Sequence, residues 1–167
     1  YNRITPKGRP ISMNETGRQM ARDAILGLYP NGGTSIYDAV SSAWDDLCLD
    51  IKQNPQDRSI RMIVVLTDGE DNQSKTNLYY LINKIGFSLP NPSGGYFGDA
   101  KCKIPVFGIV LSASEASPDF KNLKKLTTST RGDTAASTPQ NLLKLLDKIT
   151  AYYWLAAEKG PSTSLRE

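Results

Sequence analysis

Two spacings of apolar residues alternate along this chain. From Asn14 the apolar positions Met20, Ala21, Ala24, Ile25 and Leu28 recur at three and four, which predicts a helix with one apolar face and Asn14 as its N-cap. Tyr29-Pro30-Asn31-Gly32-Gly33 stops it in a turn whose backbone can approach another group closely. A second helix follows, with Ile36, Val40, Ala43, Trp44, Leu47 and Ile51 along one side and Asp45, Asp46 and Asp50 facing away. Thr34 or Ser35 stands at its N-terminus, and Pro55 closes it. Then the period changes. Ile63 to Leu66 is a continuous apolar run rich in β-branched residues, the pattern of a strand buried on both faces.

The alternation repeats. Leu78, Leu81, Ile82 and Ile85 mark a third helix, with Ser74 or Thr76 near its start. Gly86 to Lys101, with Pro90, Pro92, Gly94, Gly95 and Gly98, has no period and reads as a long loop. Ile104 to Leu111 is a second buried strand with a proline near its beginning. Ser117-Pro118 opens a helix through Phe120, Leu123 and Leu126, and Gly132 to Ser137 is a short strand. Thr138-Pro139 starts a last helix carrying Leu142, Leu143, Leu145, Leu146, Ile149, Tyr152 and Tyr153. Strands alternating with helices imply βα units on a parallel sheet. Residues 1–13 read as the end of a strand and a loop, 14–156 as the folded unit and 157–167 as a flexible tail.

Composition narrows the chemistry. The 167 residues carry a net charge of +3, too little to argue for nucleic acid or an anionic membrane. No apolar run approaches the roughly 18 residues of a membrane span. There is no histidine, which removes histidine bases and most zinc sites. Cys48 and Cys102 have no metal-ligand spacing, and two positions without geometry read as buried free thiols. Tyr1 is not an initiator residue, so the chain is expected to begin inside a longer protein.

The candidate chemistry lies at two helix starts, Gly32-Gly33-Thr34-Ser35 and Thr67-Asp68-Gly69. Ligands of open α/β sheets sit outside the carboxyl ends of the strands, where Asp68 would stand. A hydroxyl and a carboxylate suit a hard divalent cation. They equally suit two plain caps, with Thr34 and Asp68 each finishing its own helix or turn.

Gly32-Gly33-Thr34 entering Ile36-Tyr37-Asp38-Ala39-Val40, followed by Val64-Val65-Leu66-Thr67-Asp68-Gly69, resembles the von Willebrand factor type A domain. Ile104 to Ile109, Leu123 to Gly132 and Ser137 to Leu142 look like later parts of that family, so the likeness runs from about Asn14 to Trp154. The Gly27-Leu28-Tyr29 lead-in and Glu70-Asp71-Asn72 look more like its bacterial members, some of which work at the cell surface. The resemblance implies a three-layer, Rossmann-like α/β fold with a mostly parallel sheet and a metal-ion-dependent adhesion site at its top. Thr34 and Asp68 match two of the site's three segments. The third, an Asp-x-Ser-x-Ser loop, occurs nowhere in the chain, so the domain is expected to be truncated at its N-terminus. Its first strand would otherwise pair with Ile60 to Thr67, leaving an edge open to self-association.

The function so implied is protein recognition. A partner's Asp or Glu would complete the coordination of Mg²⁺ (or Mn²⁺ or Ca²⁺), with Gly33, Ser35, Gly69, Glu70 and Asp71 on the rim, outside the cytoplasm. Two protein oxygens alone should hold the ion weakly or not at all. Glu70, Asp71 and Asn72 read as cap residues ahead of ligands. The rival reading is a metal-assisted hydrolase or phosphoryl-transfer enzyme using Asp68, Glu70 and Asp71.

Overall fold

A computed structural model of the chain describes residues 12, 14–27, 32–57, 59–68, 70–87, 102–111, 114–136 and 138–159. The strand expected over the first residues, most of the loop expected over 86–101, most of the tail expected over 157–167 and the rim position Gly69 lie outside these. The described elements run α1 (Glu15–Leu26), α2 (Ile36–Gln53), β1 (Ile63–Thr67), α3 (Leu78–Ile85), β2 (Val106–Val110), α4 (Pro118–Ser129), β3 (Thr134–Ala136) and α5 (Pro139–Lys159). The protein is α/β, with an open, all-parallel sheet in the order β1-β2-β3. No helix among the described residues is long and apolar enough to cross a membrane.

The caps act locally. Asn14 accepts the Gly17 N–H at 2.9 Å, as the sequence predicts. Ser117 accepts from Phe120 ahead of Pro118 in the first turn of α4. At α3 the cap is Asn77, bonded to the Tyr80 N–H at 2.8 Å, rather than Ser74 or Thr76, whose groups are engaged elsewhere. Asp45 and Asp50 of α2 do not simply face water: Asp45 pairs with Lys84 of α3, and Asp50 with Arg61 ahead of β1.

One face of the sheet is well covered. Val40, Trp44 and Cys48 recur every fourth residue on α2 and pack with Ile63, Val106 and Val110 of the strands and with α3 and α4. On the other face α5 lays Leu145 and Ile149 against Phe107 and Ala135. That cover stops short of β1. Val64 and Leu66 stay 50% and 63% exposed, which corrects the expectation of a strand buried on both faces. The sequence run is continuous, but burial needs a neighbour, and no described element lies over these two residues.

Among the described residues β1 is also an edge strand. The Ile63 N–H donates to Pro105 O at 2.9 Å and Thr67 O accepts the Leu111 N–H at 2.7 Å. By alternation the N–H and C=O of Val64 and Leu66 therefore point away from β2, to a side with no described strand. A groove of about 370 Å³ runs along this edge between β1 and Ile36, Ala39, Val40 and Ala43 of α2. The apolar face of α1 is bare as well: Met20 and Ile25 are each 57% exposed, against the burial its periodicity predicts.

The two cysteines are joined as a disulfide, Cα to Cα 5.3 Å apart, correcting the reading of free thiols. Cys48 lies on the buried stripe of α2 and Cys102 on the segment feeding β2. They are 54 residues apart in sequence, so no local pattern could signal the contact.

The passage from α4 into β3 is the tightest joint. Thr130 Oγ1 accepts the Val106 N–H and Thr127 Oγ1 bonds Thr134 Oγ1, all buried. A Cβ at Gly132 would lie 1.8 Å from the Val106 carbonyl oxygen. Because that neighbour is backbone of the central strand, it cannot swing aside. Gly132→Ala should lower unfolding stability by about 3 kcal/mol or more, read as a shifted urea midpoint.

Candidate functional site

The first turn of α2 is not capped by its own residues. Ser35 occupies the N-cap position, yet its side chain makes no capping bond. The free N–H groups are met from across the molecule: Tyr37 N donates to Asp71 Oδ2 at 2.9 Å, and Asp38 N to Ser74 Oγ at 3.0 Å. Asp71 also accepts from Ser74 N and Ser74 Oγ. A carboxylate here complements both the unmet donors and the positive end of the helix.

The bond set is reciprocal. Asp38, in that same first turn, accepts the Lys75 and Thr76 N–H groups, each at 2.9 Å. Thr34 N donates to Asn72 Oδ1 at 2.8 Å, while Thr34 O accepts from Asn72 N and Gln73 N. Gly33 leaves room for this approach: a Cβ there would meet Gln73 Cγ at 2.2 Å and Asn72 Oδ1 at 2.4 Å, so both side chains would have to shift. Gly32, with φ of 83°, turns the chain into this position through a conformation that favours glycine.

These bonds place the sequence-predicted residues. Thr34 is bonded to Asn72 and Gln73, on the segment that leaves the end of β1 just beyond Asp68, so the Thr34 loop and Asp68 lie at the same end of the sheet. Asp68 is exposed. Gly33 and Ser35 flank Thr34 on the loop. Asp71 serves as a cap, although for α2 rather than for the helix that follows it, and Asn72 holds the Thr34 loop just ahead of α2. Glu70 stands apart from that role.

Beside the lock is a cleft of about 110 Å³ lined by Tyr37, Thr67, Glu70, Asp71, Asp119 and Asn122. A hydrogen bond to the Asp119 carboxyl, with repulsion between the two acids, raises the Glu70 pKa above its ordinary 4.5. Asp119 Oδ1 is buried without a hydrogen-bond partner. Burial, then the charges of Asp71, Asp119 and Glu70, push the Tyr37 hydroxyl above 10.0. The cleft is therefore acidic and favours cations or basic groups.

Tyr37, Asp38, Asp119 and Asn122 were not singled out from sequence. For Asp119 a signal exists: in a parallel βα fold the helices leaving strand ends begin at one rim, so the first turn of α4 belongs beside the end of β1.

As a cation site the arrangement is partial. Thr34 and Asp68 offer oxygens of the right kind, but among the described residues no group of three or more acidic, cysteine or histidine side chains could hold a metal ion. Two protein oxygens do not by themselves make a dedicated site. Comparison with family models, with curated proteins and with solved structures finds no match.

The lock and the acid beside it can be tested by substitution. Asp71→Ala strands the Tyr37 and Ser74 N–H groups and should cost about 1–3 kcal/mol of stability by urea unfolding. Glu70→Gln, which removes a like charge and no cap, should be neutral or slightly stabilising. Hydrogen bonds from Thr76 and Lys75 hold the Asp38 carboxyl below its ordinary 3.8. A carboxyl lowered by folding stabilises at pH above its unfolded value and loses that contribution as pH falls through the folded one. The stability gap between wild type and Asp38→Asn should therefore be full at neutral pH and close on acidification below about pH 4, measured by urea unfolding across pH.

Proposed function

We propose that the chain is part of a von Willebrand factor type A-like protein-recognition module. Its upper rim, through Thr34 and Asp68, supplies part of the cradle for a divalent cation that a partner's Asp or Glu completes. The observation that carries this reading is the reciprocal lock, which brings the Thr34 loop to the end of the strand that Asp68 terminates. Parallel βα topology with Asp68 at a strand's carboxyl end supports it, as does the acidic cleft alongside. Thr34 and Asp68 would hold the ion, which would supply a positive centre for a carboxylate. Gly33, Ser35, Glu70 and the Gly69 position would form the surface a partner meets. The remaining oxygens must come from outside the described residues, and the free edge of β1 is where an upstream strand would bring them. Where that edge stays open, it is also a surface for self-association.

The second reading, a metal-assisted hydrolase, keeps Asp68 and Glu70. It is weakened by Asp71, whose oxygens accept bonds from Tyr37 and Ser74.

Calorimetric titration of Mg²⁺ separates the two. The 167-residue chain should bind the ion weakly or not at all. A chain extended upstream through an Asp-x-Ser-x-Ser loop should give saturable binding, weakened about tenfold or more by Thr34→Ala or Asp68→Ala, since each removes an oxygen from a small ligand set. Binding indifferent to both substitutions would sink the recognition reading. Mg²⁺- or Mn²⁺-dependent phosphodiesterase turnover lost in Asp68→Ala would install the enzyme instead.

A further inference from the structure

The clamp between α2 and the segment feeding β2 bears on where this chain folds. Cys48 and Cys102 are 3% and 2% exposed, both within the main apolar cluster. They are the only cysteines in the sequence, so once joined they leave no thiol. Their Cα separation of 5.3 Å lies within the span a disulfide bridges without moving the backbone. The bond closes a long loop, the case in which a cross-link most restricts the unfolded chain. It lies on the covered face of the sheet and ties α2 to the segment that feeds β2.

We infer that Cys48–Cys102 is a permanent structural disulfide, that the chain acquires it in an oxidising compartment, and that it is not a redox switch. Formation is thiol–disulfide exchange. The two thiols lose two protons and two electrons in making one S–S bond, and the disulfide of an oxidoreductase accepts them and becomes a dithiol. In a reducing cytosol the pair would stay as thiols. Once the chain has folded, a thiolate must reach a sulfur for the exchange to reverse, and both sulfurs belong to buried residues.

The test compares the protein exported to an oxidising compartment with the same chain made in a reducing cytosol. Exported protein, unfolded without reductant, should take up no thiol-alkylating reagent and should yield a linked Cys48–Cys102 peptide by mass spectrometry. Native protein should keep the bond in millimolar glutathione and lose it only when denaturant is added. The oxidised form should melt roughly 10 °C above the reduced one. Cys48→Ala/Cys102→Ala should melt with the reduced form; if it does not fold, reduced wild type carries the comparison. Two alkylatable thiols in exported protein would overturn the assignment, as would melting points within a degree or two of each other. Rapid reduction of native protein by glutathione would overturn the claim of permanence. None of these results depends on Thr34 or Asp68, so they stand or fall apart from the cation reading.

Discussion

A helix begins with N–H groups that its own backbone cannot satisfy, and in this protein the first turn of α2 meets that requirement through space. Asp71 and Ser74 receive its donors, while Asp38 and Thr34 return bonds to the backbone of the segment after β1. Neither side is organised without the other. Asp71 sets its side chain against the positive helix end, and the 71–76 stretch, which has no regular structure, gains a fixed path. The candidate site depends on this joint, because it carries the Thr34 loop to the end of β1. The acidic character of the neighbouring cleft has the same origin: Asp71 is drawn in by the helix, and Glu70 and Asp119 are brought face to face beside it.

The rest of the fold is asymmetric about that joint. On the α4 and β3 side, buried threonine hydroxyls and the close approach of Gly132 to Val106 make a dense junction. On the β1 side, backbone groups of Val64 and Leu66 point outward and their side chains lie bare. The disulfide falls between the two regimes. It ties the middle of α2, whose N-terminus forms the site, to the segment leading into the central strand.

How far all this could be read from sequence depends on the range of each interaction. The helices over Val40, Trp44 and Cys48, over Phe120, Leu123 and Leu126, and over Leu145 and Ile149 were legible because apolar residues at helical spacing must share a face. The parallel sheet was legible from the alternation of elements. At the site, Gly33, Thr34 and Asp68 were visible as a glycine turn, a hydroxyl and a strand-end acid. Their setting was not. Asp71 and Asn72 read as local caps, yet Asp71 caps a helix that begins more than thirty positions earlier and Asn72 bonds the loop that leads into it. Ser35, one of the two residues expected at the N-terminus of α2, takes the N-cap position without a side-chain capping bond.

What the chain determined alone is what a few consecutive residues decide: the period of each element, the caps at Asn14 and Ser117, and the glycines that turn Gly32-Gly33. Tertiary structure decided what depends on which distant groups meet. It joined Cys48 to Cys102, gave Asp71 to α2, set Glu70 against Asp119, and left Val64 and Leu66 uncovered despite a run that reads as core. The physical reason is that periodicity and turn chemistry are properties of neighbours in sequence. Burial, pairing and the field on a carboxylate are properties of neighbours in space.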